Sequence, residues 1–477
     1  MTESTRQPQK SPLLVRALES SDWSAAKAVD AAAFGYQPDD DFLDTVVLPA
    51  QDIGRFTGVF DPALDQLLLG IGAIQTRRLT FPGSASAAVA AVTWVGVRPD
   101  QQRRGVLRAL MTAQLHGLKR TGGEAVAILT ASKSGIYGRF GYGLASHIYR
   151  LQIPAPTALR PGTVVEPVQE SGRAEAEPAM KRIYATARAG FVGYLDRSDA
   201  VWNTLLTEHP FARKDRSARR IALHPDGYIH YGLTDSWNDR GPDYTLTVSE
   251  ICATTPIARA SLWKHVLAYP LVRKVDYAGA WVDEPLPDML GNPRDLTASI
   301  RDHVWLRLVD LTRAIGLRTY STEADLVVKV ADSFCPWNDD TWRLRLTRAG
   351  GSATRSAGPA DLELDIADLG AAFWVGPGSP GSPLRAGSPA PTVRSRISTR
   401  PCRRRFVPGR RRASDGDGAN AASRAACCSN GDDPTPRRPT TGGTSEPGRR
   451  YRHGGFLVFD IGPGRTHSSQ SRSCARG

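Results

Sequence analysis

The stretch "WVGVRPDQQRRGVLRALM", Trp94 to Met111, joins two different patterns across a short polar loop. Upstream, "AAVAAVTWVGV" is an apolar run of strand type, and Pro99 ends it and fixes the turn. Downstream, Val106, Leu107, Leu110, Met111, Leu115 and Leu118 mark one apolar stripe of a helix that Gly122-Gly123 stops. The first N–H groups of a helix have no intrahelical partner, and the helix dipole adds partial positive charge there. A phosphate or pyrophosphate is well held at such a point. Gly105 permits close backbone approach, and Arg103 and Arg104 add charge-assisted donors. Gly96, a gap among bulky strand residues, predicts a bulge or a close backbone contact. An ordinary strand–turn–helix with exposed arginines reads the same way, so the wider context decides.

Working outward, "SDWSAAKAVDAAAF" reads as a helix capped by Ser20 or Ser21, and "QLLLGIGAIQTRRLTF" and "EAVAILTA" read as strands. Alternating strands and helices predict an α/β or α+β domain with helices on a central sheet. Residues from about 160 to 295 repeat this texture. There "ARRIALHPDGYIHYGL" is a hairpin with Asp226-Gly227 supplying a positive-φ turn. "TTPIARASLWKHVLAYPLV" is a helix at the place of a second phosphate loop, but it has no glycine and no paired arginines. A duplicated fold would be functionally silent there. Beyond about 296, "LVVKVAD" and "WRLRLTR" alternate as strands around "NDD", which fits a small α+β module. "LLLGIGAIQT" begins like a dinucleotide fingerprint, but Gln75 stands where the third glycine belongs, and no phosphate loop of the G-x-x-x-x-G-K-[ST] type occurs.

The chain has 477 residues and a formal net charge of +13. Trp374 to Gly477 holds 19 Arg, no Lys and 6 acidic residues, while the first 373 residues are balanced at 42 basic and 42 acidic. The excess charge belongs to the tail, so the body does not read as a nucleic-acid binder or a binder of anionic membranes. The tail is rich in Gly, Pro, Ser and Arg, which predicts disorder, with an Arg-rich nucleic-acid arm or a shifted reading frame as other readings. Cys252 and Cys335 lie in the body and Cys402, Cys427, Cys428 and Cys474 in the tail, without zinc-type spacing, so no metal is expected. The N-terminus lacks the apolar core of a signal peptide, and no run is long enough to span a bilayer. A cytoplasmic protein is the default expectation.

Some thirty residues after the loop comes "ASKSGIYGRFGYG", Ala131–Gly143, with four glycines and two tyrosines. With Val95 to Gly105, this block resembles the Gcn5-related N-acetyltransferase (GNAT) superfamily, and more narrowly its enhanced intracellular survival (Eis) family. The "HPDGY" turn and the "DEPLP" segment are similar too. The resemblance implies an α+β fold of tandem GNAT-like domains, each a mixed sheet flanked by helices, then a sterol-carrier-like α+β module and a disordered tail. The implied divisions are a flexible 1–12, an acetyl-CoA domain 13–160, a degenerate copy 161–295, an incomplete module 296–373 and the tail 374–477.

The same resemblance implies roles for single residues. Val95, Gly96 and Val97 would carry the pantetheine arm of acetyl-CoA on their backbone. Gln102, Arg103, Arg104, Gly105 and Val106 would hold its pyrophosphate, with Ser132 near the coenzyme. Tyr137 would be the general acid that protonates the leaving thiolate, with Tyr142 left as packing. Phe34, Tyr36 and Trp94 are candidates for an acceptor pocket. The acceptor would be a primary amine on an aminoglycoside or polyamine-like molecule, or on a lysine side chain, and the assembly a homo-hexamer; some family members are also secreted. The family uses the C-terminal carboxylate of the chain as base. Here the third module breaks off after Phe373, no base is identified, and an acetyl-CoA-binding scaffold with impaired catalysis is the alternative.

Overall fold

The computed structural model describes residues 12–83, 85–213 and 216–374. The expected flexible start and nearly all of the tail, with its cysteines, arginines and reading-frame question, lie outside the described residues. Trp374 is the exception. It ends a helix and packs edge-on against Phe81, so the folded chain passes the expected break after Phe373.

The first part runs β1 (Leu14–Ala17), α1 (Trp23–Phe34), the single turn α2 (Asp40–Phe42), β2 (Phe56–Asp61), β3 (Leu67–Thr80) and β4 (Ser86–Val97). Then come α3 (Val106–Thr121), β5 (Val126–Thr130) and the short β6 (Gly143–Leu144). β1 to β4 are antiparallel neighbours, and β5 lies parallel to β4. α3 forms because its apolar stripe is continuous: Val106, Leu110, Met111, Leu115 and Leu118 are buried. Each fully buried aliphatic side chain of that kind contributes about 1.5–3 kcal/mol relative to exposure. Gly122 stops α3 in the left-handed conformation, its N–H bonded to the carbonyls of Leu118 and Lys119. α1 covers the opposite face of the sheet over Ile71, Ala73 and Trp94. Its start is not capped by Ser20 or Ser21. The Asp22 carboxylate accepts from the Glu19 N–H at 2.8 Å, and Arg16 holds that carboxylate in place.

The second part runs β7 (His147–Pro154), β8 (Gln169–Ser171), α4 (Arg173–Gly190), α5 (Asp199–Leu206), α6 (Pro210–Arg213), β9 (Arg220–His224) and β10 (Gly227–Thr234). A minimal hairpin, β11 (Trp237–Asn238) and β12 (Gly241–Pro242), precedes β13 (Tyr244–Ala253), α7 (Pro256–Leu267), β14 (Val272–Trp281), α8 (Leu286–Met289) and β15 (Thr297–Asp302). The sheet order is β15-β7-β14-β13-β10-β9-β8. α7 covers one face through Leu262, Trp263 and Val266, and α4 and α5 the other through Met180, Tyr184 and Trp202. The expected hairpin forms, but its turn residues are Pro225 and Asp226, and Gly227 opens β10 opposite His224. Gly227 serves space instead of φ: a Cβ there would lie 2.9 Å from Leu262 and 3.0 Å from the Cys252 carbonyl.

The third part runs β16 (Val304–Leu308), α9 (Leu311–Ile315), β17 (Ala324–Ala331), β18 (Asp340–Thr347), β19 (Gly350–Arg355), β20 (Leu362–Asp365) and α10 (Ile366–Trp374). β17 to β20 form the expected small sheet, in the order β19-β18-β17-β20. β16 does not join it. It enters the first sheet between β5 and β6, with Val304 opposite Thr130 and Leu306 opposite Gly143. Sheet membership therefore crosses the expected divisions at 160/161 and 295/296: β7 belongs to the second sheet and β16 to the first. Leu151 and Ile153 of β7 are buried in the second core because β14 and β15 flank that strand on both sides. Val304, Leu306 and Leu308 share one core with α3 and with Val328, Trp342 and Ile366 of the last module. Among the described residues no helix is long and apolar enough to cross a membrane.

Candidate active site

The site starts from a break in pairing. β4 is parallel to β5 only at Ala90 opposite Ala127 and Ala91 opposite Ile128. From Val92 to Val97 no strand among the described residues pairs with it on the β5 side. On the β3 side the register slips: Thr93 faces Ala73 while Gly96 faces Ile71, so an extra residue is accommodated at Trp94–Val95. Trp94 takes φ 54°, a left-handed conformation that a bulky residue adopts only when the surroundings impose it. The bulge falls just beyond the point where β4 stops pairing with β5, so the two strands part there. Gly96 is also a close contact: a Cβ there would lie 3.1 Å from Ala33 Cβ on α1. Val95 and Val97 pack half-buried against the core that holds α3 and Tyr137.

The loop that follows delivers donors to the end of this parted segment. Arg103 at φ 63° and Gly105 at φ 88° coil it back on itself. Nothing lies within 4 Å of a Cβ built on Gly105, so conformation and not crowding calls for glycine there. The first helical bond of α3 runs from Ala109 N–H to the Gly105 carbonyl at 3.0 Å, and no side chain caps this end. The N–H groups of Val106, Leu107 and Arg108 are therefore left for an anion. The structure separates the two arginines. Arg104 donates to Asp61 on β2 and to Gln101, and this bond holds the Asp61 carboxyl below its ordinary range. Arg103 is exposed and has no ion-pair partner among the described residues. Gln102 is exposed beside it.

Ser132 is exposed just beyond β5. Tyr137 begins the 3-10 turn Gly138–Phe140, and its carbonyl accepts from the Phe140 N–H at 2.9 Å. The side chain is 6 % exposed, T-shaped against Tyr142 at 5.9 Å, and burial pushes its phenol up to about 12. It stays protonated at neutral pH, as a proton donor must. Tyr142 is deeper, and its hydroxyl has no hydrogen-bond partner among the described residues.

The three aromatic pocket candidates are divided by the structure. Trp94 is buried between Trp23 at 5.5 Å and Phe56 at 5.7 Å, a core position beneath the bulge. Phe34 and Tyr36 flank Gly35, which ends α1 at φ 70°, and both are half-buried. The turn at Gly35 folds Tyr36 back so that its hydroxyl donates to Asp30 Oδ2 at 2.6 Å. Asp30 is fully buried, its Oδ1 has no hydrogen-bond partner, and burial pushes its carboxyl up to about 7. Sequence reasoning passed over Asp30. Its signal is a carboxylate on the buried stripe of α1, four residues after Ala26 and seven after Trp23.

A family model described as an acetyltransferase (GNAT) domain matches residues 14–145, and a second of that description matches 193–308. A sterol carrier protein domain matches 311–387, again past Phe373. An uncharacterized N-acetyltransferase of Streptomyces avermitilis is 30% identical over 371 residues, spanning 76% of this chain and 90% of that protein. N-acetyltransferase Eis of Mycobacterium tuberculosis is 30% identical over 322 residues, 64% of this chain and 75% of its own length. The chain belongs to the Eis-type N-acetyltransferases of the GNAT superfamily. The crystal structure of Eis1 from Mycobacterium abscessus matches with a TM-score of 0.65 at 29% identity, covering 76% of this chain and 89% of that one.

The two GNAT domains of this Eis-type chain differ at the helix start that matters. In the second, Thr255 caps α7 by accepting from the Ala258 N–H at 3.2 Å, and Pro256 brings no N–H at all. Arg259 in the same turn is buried in an ion pair with Glu284. α3 is open where α7 is closed.

Proposed function

We propose that this Eis-type chain transfers the acetyl group of acetyl-CoA to primary amines, on aminoglycoside or polyamine-like molecules or on lysine side chains. The observation that carries the reading is the β4 edge from Val92 to Val97, which no strand among the described residues joins on the β5 side, leading into the start of α3, which no side chain caps. An extended pantetheine arm suits a strand edge that lacks a partner, and a pyrophosphate suits free helix N–H groups. Bound there, acetyl-CoA supplies an activated thioester. The backbone of Val95, Gly96 and Val97 aligns the arm, and Gln102, Arg103, Gly105 and Val106 bind the pyrophosphate. Arg104 acts at one remove by fixing the loop to Asp61. Ser132 lines the approach, and Tyr137 donates a proton to the departing sulfur. Phe34 and Tyr36 border the acceptor side, over the Trp94 core. The same reading takes the chain as a homo-oligomer, supported by the edge strand β15, whose Ile300 is 57 % exposed.

The test is thiol release from acetyl-CoA by the purified chain, with spermidine or kanamycin as acceptor. Amine-dependent release with an acetylated product is expected. Absence of acetyl-CoA binding in calorimetry would end this reading.

A further inference from the structure

An amine can attack a thioester only through a free lone pair, so a surplus proton must leave the nitrogen. The strand segment beyond the parting, Thr93 to Val97, carries no carboxylate. The helix laid against it does. Asp30 Cα lies 3.9 Å from the Cβ position of Gly96, two residues past the bulge at Trp94. Its carboxyl group is fully buried, with Oδ1 unpartnered and Oδ2 held only by the Tyr36 hydroxyl at 2.6 Å.

A fold does not keep an unsatisfied carboxyl oxygen in an apolar helix face without cost. The same position on α1 filled by Ala or Leu would complete the stripe. The geometry around it also gives the carboxyl one route out. Asp30 is fully buried and Tyr36 only half-buried, so Tyr36 is the member of the pair with surface to offer.

We infer that Asp30 and Tyr36 form the proton-accepting relay of the acetyl transfer, with Tyr36 touching the acceptor amine and Asp30 acting through it. The inference rests on the acetyl-transfer reading above and supplies the base that reading lacks. The bound ammonium first gives one proton to solvent, which frees the lone pair. As the C–N bond then forms and the C–S bond breaks, the second proton on nitrogen passes to the Tyr36 oxygen while the phenolic proton of Tyr36 passes to Asp30. Tyr137 gives the proton that the departing sulfur takes up. Asp30 then returns its proton to solvent along the same route, and solvent reprotonates Tyr137, so acetyl-CoA and an ammonium yield amide, free thiol and one proton.

The surroundings make Asp30 suited to this work. Burial raises the carboxyl to about 7, where an acceptor of protons is both available and effective. Tyr36 is the titratable group bonded to it, and the Gly96 position of β4 lies against its Cα. Lys27, on the preceding turn of α1, is committed to Asp40 and Asp44 and leaves the Asp30 carboxyl without a cationic partner.

The experiment compares the full chain with Asp30→Asn and Tyr36→Phe. Calorimetry with acetyl-CoA comes first, followed by thiol release with spermidine and with kanamycin from about pH 5.5 to about 9.5. Acetyl-CoA affinity should stay within about twofold in both variants, since neither residue holds the coenzyme. Turnover should fall about a hundredfold in Asp30→Asn and at least about tenfold in Tyr36→Phe. The wild-type rise of kcat/KM with pH through about 7 should vanish in Asp30→Asn, whereas the ionisation of the acceptor is common to all three proteins. Unchanged turnover and an unchanged profile in the variants would overturn the inference. So would a wild-type chain that binds acetyl-CoA and acetylates neither amine. A chain that does not bind acetyl-CoA overturns the acetyl-transfer reading itself. If Asp30→Asn does not fold, Tyr36→Phe decides by the same readouts.

Discussion

Arg307 of β16 and Asp332, just after β17, form an ion pair at 2.6 Å with both side chains out of solvent. The pair joins the first sheet to the last module. Arg307 also donates to the Gly141 carbonyl, in the glycine-rich turn that carries Tyr137, and Asp332 accepts from the Cys335 N–H at 2.9 Å and from Asn338 at 3.1 Å. Asp332→Ala would leave a buried guanidinium uncompensated, which typically costs about 3–5 kcal/mol. The expected outcome is a large drop in the denaturant midpoint, together with weaker turnover because the Tyr137 turn loses its anchor. A loss of unfolding free energy below about 1 kcal/mol would show that water or another group compensates Arg307.

The two arginines of the loop should separate in their effects. Arg103→Ala removes an exposed charge that no side chain among the described residues neutralises, and charge-assisted bonds contribute about 1.5–3 kcal/mol. Acetyl-CoA should then bind about tenfold or more weakly by calorimetry, with the fold unchanged in circular dichroism. Arg104→Ala instead strips the buried Asp61 carboxylate of its partner, and thermal stability should fall along with affinity. Equal and purely affinity-based effects would mean that Arg104 swings from Asp61 to the ligand.

Tyr137→Phe should leave acetyl-CoA affinity intact and lower kcat about a hundredfold, the usual weight of a positioned proton donor. Because burial pushes the phenol up to about 12, the donor form persists through the neutral and mildly alkaline range. No alkaline fall assignable to this group is expected below about pH 11 in the wild-type profile. Full turnover in the variant would transfer the protonation step to solvent.

These outcomes depend on parts of the molecule that differed in how plainly the sequence shows them. The run from β4 through the loop to α3 is local, so periodicity, Pro99, Gly105 and the paired arginines sufficed to place the helix start. The division of labour between Arg103 and Arg104 needed Asp61, which is 43 positions away in the chain. Val304 opposite Thr130 is a pairing across most of the second domain, and no composition break marks it, so β16 read as part of the last module. Trp94 carried the same letter whether it lined a pocket or filled the core; its neighbours Trp23 and Phe56 decided for the core. Gly227 looked like a turn former because Asp-Gly is a turn signal, and only the closeness of Leu262 and the Cys252 carbonyl shows that space was the constraint. Asp30 was hidden for a different reason. A single carboxylate in an alanine-rich helix reads as a solvated position, and its burial follows from α1 lying flat on Gly96.

Asp30 also leaves a mark on stability that does not involve turnover. Burial raises its carboxyl from the ordinary 3.8 to about 7 in the folded chain. Between those values the unfolded chain has released the proton and the folded chain still holds it, so unfolding is favoured increasingly as pH rises. Stability tied to Asp30 is therefore whole below about pH 4, declines through the interval, and is lost above about pH 7, by up to about 4 kcal/mol at about 1.4 kcal/mol per pH unit. Asp30→Asn abolishes this dependence. Asp22 and Asp44, held below the ordinary range by Arg16 and Lys27, act in the opposite sense but equally in both proteins, so the difference cancels them. Denaturant midpoints at about pH 4, 6 and 8 should show the variant gaining on the wild type as pH rises, the more stable protein being the slower enzyme. A gap that narrows with pH would mean that the Asp30 carboxylate is ionised and partnered in the folded chain.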